Sequence, residues 1–285
     1  MRNTVKITAA VAAAAALTLG AGACSAPSDP VSAAGKGAKN APLVVGASPT
    51  PHGDILNYVK DNLAEKAGLE LEVKEFSDYS QLNTATENGD VEANFFQHKP
   101  FLDDFNKKKG THIVPVMNVH VEPLGLYSKK LDELSGIKPG DTIAVPNDAT
   151  NEGRALKLLA DRGVIELKDG VGAEAALSDV TDKKGLKFAE LEAPQIPARL
   201  ADVDAAVVNG NFAIGSKLKP SRDALALEKA EDNPYANFLA VKKGSEDDPR
   251  VQKLAKLLNS EQVEQFISKK FGDGSVIPAF GPATS

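Results

Sequence analysis

Cysteine is nearly missing from this 285-residue chain: Cys24 is the only one. No disulfide can close within the chain, so the folded body must stand on its hydrophobic core. Basic charge is in deficit as well. Lys and Arg number 33 against 39 Asp and Glu, and an acidic surface is a poor partner for nucleic acid or anionic lipid. The local patterns of common enzyme chemistries are also absent: no GxSxG elbow, no HExxH helix, no GxGxxG or phosphate loop, and no recognisable carboxylate pair. The four histidines, His52, His98, His112 and His120, are spread along the sequence without an HxH pair. Their spacing gives no local support for a metal site. Little therefore points to an enzyme, and neither a metal nor a cofactor is expected.

The start of the chain accounts for the lone cysteine. Arg2 and Lys6 are basic, Ile7–Leu19 is an Ala-rich apolar run too short for a stable membrane span, and Gly20–Ala23 are small residues directly before Cys24. This predicts a signal peptide over residues 1–23 and a lipid on the sulfur of Cys24. An unpaired exposed thiol is a reactive liability in a secreted protein, and acylation removes it. A plain signal peptide with an incidental cysteine is the alternative, since Ala21 stands where lipoprotein signals usually carry Leu. Cleavage removes two of the 33 basic residues, leaving 31 against 39 acidic ones and a formal charge of −8. Residues 24–42, rich in Ser, Ala, Gly and Pro, read as a flexible tether. Membrane contact is then expected through the lipid anchor only, with the protein on the outward face of the cell membrane.

From Leu43 onward, strands and helices alternate. The pattern predicts strands at Leu43–Ala47, Leu69–Phe76, near Ile113–Met117, Thr142–Val145, Leu186–Leu191, Ala205–Val208 and Phe238–Val241. It predicts helices from an Asp54 cap to Gly68, from Asp78 to about Glu87, over Lys99–Lys109, Thr150–Arg162 and Gln195–Asp202, and one long helix over about Pro249–Phe271. Val119–Ser128 is extended with no helix before it, and Asn233–Asn237 leads into another extended stretch; both suit crossings between lobes. The predicted organisation is one lobe from 43–120 plus 236–285 and a second from 121–235. Two α/β lobes joined by two crossings make a cleft that closes on a ligand.

Three stretches carry the candidate site. Val91–Leu102 (VEANFFQHKPFL) alternates as a half-buried strand that Gln97-His98-Lys99-Pro100 ends, delivering two aromatics and a histidine to a strand end, where α/β folds place ligands. Phe95 fits the core, while Phe96 and His98 share one strand face and suit either a core or a binding wall. Arg154 follows a candidate cap at Thr150 or Asn151, so it is predicted in the first turn of its helix. A cation there opposes the helix dipole unless a ligand carboxylate docks with it; a surface pairing with Glu152 or Glu190 is the other reading. Asn209, at the carboxyl end of an apolar strand in Val207-Val208-Asn209-Gly210-Asn211, offers an amide donor and acceptor, although an Asn-Gly pair is often only a turn. Asn237, beside Tyr235, is similar.

With these residues assembled, the chain resembles the NlpA/MetQ-type lipoproteins, the substrate-binding subunits of methionine ABC importers. DYSQLN (Asp78–Asn83), ANFFQHKPFLDDFN (Ala93–Asn106), NVHVEPLGLYS (Asn118–Ser128), IAVPNDATNEGRALKLL (Ile143–Leu159), DAAVVNGNFA (Asp204–Ala213) and NPYANFLAV (Asn233–Val241) carry the resemblance, which spans about Val44 to Phe280. It implies a two-lobed α/β fold of the type II periplasmic-binding-protein class with a ligand cleft between the lobes. It also implies that Tyr79, Phe96 and His98 wrap a side chain, that Arg154 takes the carboxylate, and that Asn209 and Asn237 hold the amino-acid head group. Apolar, polarisable walls suit a thioether. Phe101 stands where Tyr is common in the family, a departure expected to leave the pocket untouched. The implied partners are methionine or a related amino acid, an ABC permease and its ATPase. A surface lipoprotein of the same fold that binds another amino acid or short peptide, or that serves in adhesion, stays open beside this, as does a metal-import subunit.

Overall fold

The computed structural model describes residues 41–231 and 233–283. The expected signal peptide, Cys24 and the tether as far as residue 40 lie outside the described residues. No helix among the described residues is long and apolar enough to cross a membrane.

Two mixed sheets organise the chain. The strands are β1 (Leu43–Ala47), β2 (Leu71–Glu75), β3 (Ala93–His98), β4 (Ile113–Val121), β5 (Gly125–Tyr127), β6 (Thr142–Pro146), β7 (Glu166–Leu167), β8 (Val180–Asp182), β9 (Lys187–Leu191), β10 (Ala205–Val208), β11 (Ala224–Leu227), β12 (Asn237–Lys242) and β13 (Ile277–Pro282). One sheet has the order β13-β4-β12-β3-β1-β2 and the other β11-β5-β10-β6-β9, with β7 and β8 paired apart. The chain leaves the first sheet after β4, builds the second from β5 to β11, and returns in β12. The crossings are the segments 122–124 and 228–236.

The helices are α1 (Asp54–Val59), α2 (Tyr79–Asn88), α3 (Lys99–Lys109), α4 (Ala149–Asp161), α5 (Ile196–Arg199), α6 (Gly210–Gly215), α7 (Pro220–Asp223), α8 (Pro249–Leu258) and α9 (Glu261–Lys270). Each lobe buries its own apolar set. Leu43, Val45, Phe95, Leu239, Leu254 and Ile267 belong to the first core, while Ile143, Val145, Leu156, Leu159 and Val207 belong to the second. Strand β10 shows why AAVV reads as a continuous apolar run. Ala205 and Val207 face one cluster and Ala206 and Val208 the other, so both faces of the strand are covered.

Several elements differ from the sequence expectations, each for a local reason. The predicted long C-terminal helix is two helices, because Ser260 accepts from the Val263 N–H and starts α9 afresh. The apolar stripe runs on across this break, so periodicity alone does not reveal it. Asp148 caps α4 by accepting from the Asn151 N–H, so neither Thr150 nor Asn151 is the cap, and Arg154 lies in the second turn. Asp54 does not cap its helix; its carboxylate takes Thr50 Oγ1 (2.6 Å) and Lys270 Nζ (2.7 Å) instead. Beyond α1 the helical path continues in irregular turns to Gly68, whose φ of +62° ends it in the left-handed region. The strand expected near Ile113–Met117 runs on to Val121, absorbing the start of the first extended segment.

Leu239 is fully buried at the middle of the first sheet. Leu239→Ala is expected to cost about 2–5 kcal/mol, read as a lower urea midpoint with an unchanged slope; a cost below about 1 kcal/mol would contradict this account of the core.

Candidate functional site

The end of β3 enters the seam between lobes through a break in its own register. Residues Gln97 and Phe95 pair with Phe238 and Leu239 of β12, leaving Phe96 as the extra residue of a bulge. The expected alternation, with Phe96 and His98 on one face, therefore does not hold through this point. Gln97 and Asn94 turn to the same side and both bond Asn83 of α2, the Gln97 amide in both directions at 2.8 Å. Phe95 packs edge-on to His52 and His120 in the core. His98 ends the strand and caps α3, its Nδ1 accepting the Phe101 N–H at 3.3 Å. Pro100, which the sequence suggests as a strand stop, sits in the first turn of that helix.

All six residues expected at a site line one cavity: Tyr79, Phe96, His98, Arg154, Asn209 and Asn237. The first lobe contributes an aromatic cluster. Tyr79 lies 5.6 Å from Phe96 and from Phe101, and 5.0 Å from Phe212 of the second lobe, between ring centroids. Phe101 is thus part of the wall, contrary to the expectation that this position leaves the pocket untouched. The second lobe contributes polar groups from the start of α4 and the end of β10. Across the seam the Tyr79 hydroxyl donates to Asn211 Oδ1 (2.5 Å). Because His98 Nδ1 is an acceptor, its Nε2 carries the hydrogen and donates to Asn151 Oδ1 at 3.2 Å. Asn209 Nδ2 donates to the same oxygen at 2.9 Å, and Asp148 in turn accepts from Asn151 Nδ2. Asn209 Oδ1 is buried and has no partner among the described residues.

Arg154 is buried, so the surface pairing with Glu152 or Glu190 does not occur. Its Nε and Nη2 fork onto Glu228 at 3.0 and 2.5 Å, and Nη2 also donates to the Glu122 carbonyl at 2.9 Å. Its guanidinium carbon lies 4.1 Å from the centre of the Tyr235 ring. Among the described residues Nη1 has no partner, which leaves one arm of the fork for an anion.

Sequence reasoning missed Glu122, Asn151, Asn211 and Glu228. Glu122 is the least expected, a carboxylate buried in the outgoing crossing. The Val-Glu-Pro sequence after a strand was its only signal. Glu122 packs so close to Gly210 that a Cβ there would meet Glu122 Cβ at 2.6 Å, giving the Asn-Gly pair a role beyond turning. Two histidines that the sequence separates by 68 positions, His52 and His120, converge on the same carboxylate: His120 Nε2 lies 2.8 Å and His52 Nε2 3.3 Å from Oε1.

Burial governs the titration of these groups. Burial lowers His98 to about 3, reinforced by the Arg154 charge. It lowers His120 to about 3 and His52 to about 4, the latter partly opposed by Glu122. Burial also raises the Glu122 carboxyl, against the pull of His52, Arg154 and the Asn211 backbone N–H.

The cavity encloses about 20 Å³, roughly the room of one water. Entry of anything larger requires the lobes to part and the cross-seam hydrogen bonds to yield. A roomier cavity of about 220 Å³ shares Asn211 with the first; Pro49, Pro194, Pro197 and Phe212 are in its walls, which carry no charged group. Charged and amide groups converge on the smaller cavity, the kind of lining that orients a small ligand, and this makes it the candidate site.

The NlpA lipoprotein family model matches residues 43–280. The chain is similar to the methionine-binding lipoprotein MetQ of Bacillus subtilis (39% identical over 242 residues, 83% of this chain and 87% of that protein). It is also similar to the D-methionine-binding lipoprotein MetQ of Escherichia coli (41% over 215 residues, 74% and 79%). Among solved structures, a nutrient binding protein from Burkholderia cenocepacia bound to methionine matches with a TM-score of 0.80 at 43% identity, over 84% of this chain and all of that one.

The depressed histidines set the sign of a pH effect. In the fold they stay neutral down to about 3–4, whereas unfolded they protonate near 6.5. The stability they contribute is present above pH 6.5 and lost as the pH falls from there towards 4. Glu122 acts in the opposite sense, one carboxyl against three imidazoles. The urea midpoint is therefore expected to fall between pH 7 and pH 5, and less steeply in His98→Gln; a flat profile would contradict the burial of neutral imidazoles.

Proposed function

This chain belongs to the NlpA lipoprotein family, and we propose that it is a lipid-anchored solute-binding protein that captures methionine and delivers it to an ABC import permease with its ATPase. Lipid on Cys24 would hold it to the outward face of the cell membrane, with no catalytic step of its own. The observation that carries this reading is the two-ended seam cavity. Tyr79, Phe96, Phe101 and His98 of the first lobe give it an aromatic wall, and Arg154 and Asn209 from the second lobe, with Asn237 from β12, bring polar groups to it. That division matches a free amino acid with a soft apolar side chain. The similarity to a methionine-bound structure at 43% identity supports methionine within that class.

In this reading the free arm of Arg154 takes the ligand carboxylate, pre-aimed by the Glu228 fork behind it. Asn209 and Asn237 hold the head group, and Tyr79, Phe96 and His98 enclose the thioether. Ligand contacts replace the hydrogen bonds that the lobes make to each other, so closure over ligand and closure without it use the same donors and acceptors. Capture is then an exchange of partners, with burial of the side chain as the gain.

Two measurements test the reading. Thermal unfolding with each of the twenty amino acids in turn, and with D-methionine, is expected to shift upward with methionine. Saturation at 100 times Kd corresponds to about 2.7 kcal/mol. No shift with any of them would count against an amino-acid site. Arg154→Ala is expected to weaken binding by at least about tenfold, or roughly 1.4 kcal/mol; a smaller loss would remove Arg154 from the role of main anchor.

A further inference from the structure

Glu122 is buried and lines the cavity, yet no Lys or Arg side chain among the described residues pairs with its carboxylate. Arg154, the nearest candidate, gives its fork to Glu228 and reaches only the backbone carbonyl of Glu122. What meets Oε1 is a pair of imidazoles, His52 from the loop after β1 and His120 from β4, while the Asn211 backbone N–H also acts on the carboxyl. The protonation of His52 follows from geometry. Its Nε2 faces two oxygens, Asn237 Oδ1 at 3.1 Å and Glu122 Oε1 at 3.3 Å, so that nitrogen carries the hydrogen. His120 Nε2, 2.8 Å from the same Oε1, donates in the same way. The Nδ1 atoms of both rings are buried without partners among the described residues, as bare lone pairs rather than stranded N–H groups.

Two neutral donors can hold a carboxylate in place without cancelling its charge. The three groups lie within 4.8 Å of one another, a spacing a metal ion could also span. However, both Nε2 atoms are already spent on hydrogen bonds to the carboxylate, and neither Nδ1 has the outer partner that orients a ligating histidine. On the same cavity, Asn209 Oδ1 is a buried acceptor with no donor among the described residues. A carboxyl group whose imidazole donors carry no charge and an orphan amide oxygen line one small cavity, and both suit a compact cation with several N–H groups.

We propose that Glu122 is the specificity-determining group for the α-ammonium of the ligand, and that His52 and His120 are positioning residues that aim its carboxylate at it. Glu122 thereby makes a free amine a condition of tight binding. The inference rests on the amino-acid reading of the site and adds to it the group that rejects amine-free analogues.

Calorimetric titration of the purified full chain in detergent tests this with two probes, L-methionine and 4-(methylthio)butanoate, which differ only in the amine. The wild-type protein is expected to favour methionine by at least about a hundredfold. Glu122→Gln, nearly isosteric, should cut the methionine affinity by at least about tenfold and leave the butanoate within about threefold. His120→Leu and His52→Leu should compress the same ratio. His120→Gln and His52→Gln, which keep an N–H donor, should retain most of it, so the Gln variants and Glu122→Gln report even where a Leu variant fails to fold. If Glu122→Gln leaves the ratio unchanged, or the histidine variants weaken both probes by the same factor, the inference is overturned while the site reading stands. If the wild-type protein binds neither probe, the site reading itself falls, and the inference with it.

Discussion

Buried polar groups must find partners, and at the seam between the two sheets they find them across the lobes. Tyr79 reaches Asn211, His98 reaches Asn151, and Glu122 sits in the crossing between the two sheets, touching both. A buried donor or acceptor left unsatisfied costs about 1–3 kcal/mol, so each of these residues constrains the positions of the others. The bulge at Phe96, the Asp148 cap and the glycine at 210 all serve this requirement. Each lets backbone or side chain come close enough for a seam contact.

The same constraint links architecture to capture. The hydrophobic cores of the lobes are separate clusters, and among the described residues the chain passes between the sheets at 122–124 and between β11 and β12. Parting the lobes therefore exposes seam groups, with Ile214 and Phe212 of α6 leaving the first lobe, while the buried clusters of each lobe stay together, the physical basis of hinge motion in cleft-binding proteins. A ligand that carries both charges and a soft apolar tail restores every class of contact that opening removes. The outgoing crossing itself carries Glu122, and the return crossing carries Glu228 and Tyr235, both against Arg154. The crossings and the proposed head-group site thus share residues.

Much of this was legible in the sequence where a residue's neighbours in the chain decide its state. Strand β10 has its expected bounds because an AAVV run before Asn-Gly is apolar on both faces, and the six expected residues meet because strand ends and helix starts point into the seam. What stayed hidden depends on partners distant in sequence. His52 and His120 belong to separate elements, and only the β1–β3–β12–β4 neighbourhood places both rings against Phe95 and Glu122. The slip at Phe96 depends on the register of β12, which arrives about 140 residues later. The break at Ser260 was hidden for a different reason: its apolar stripe continues through a cap. The burial of Arg154 was hidden as well, since its partner Glu228 is 74 positions away.

The central claim is that one free methionine occupies the seam, and native mass spectrometry of the purified protein weighs that directly. The account predicts a single adduct of methionine mass, either co-purifying or formed on addition of methionine, and lost in Arg154→Ala at the same concentration. A bare chain that takes up no adduct at millimolar methionine would contradict it.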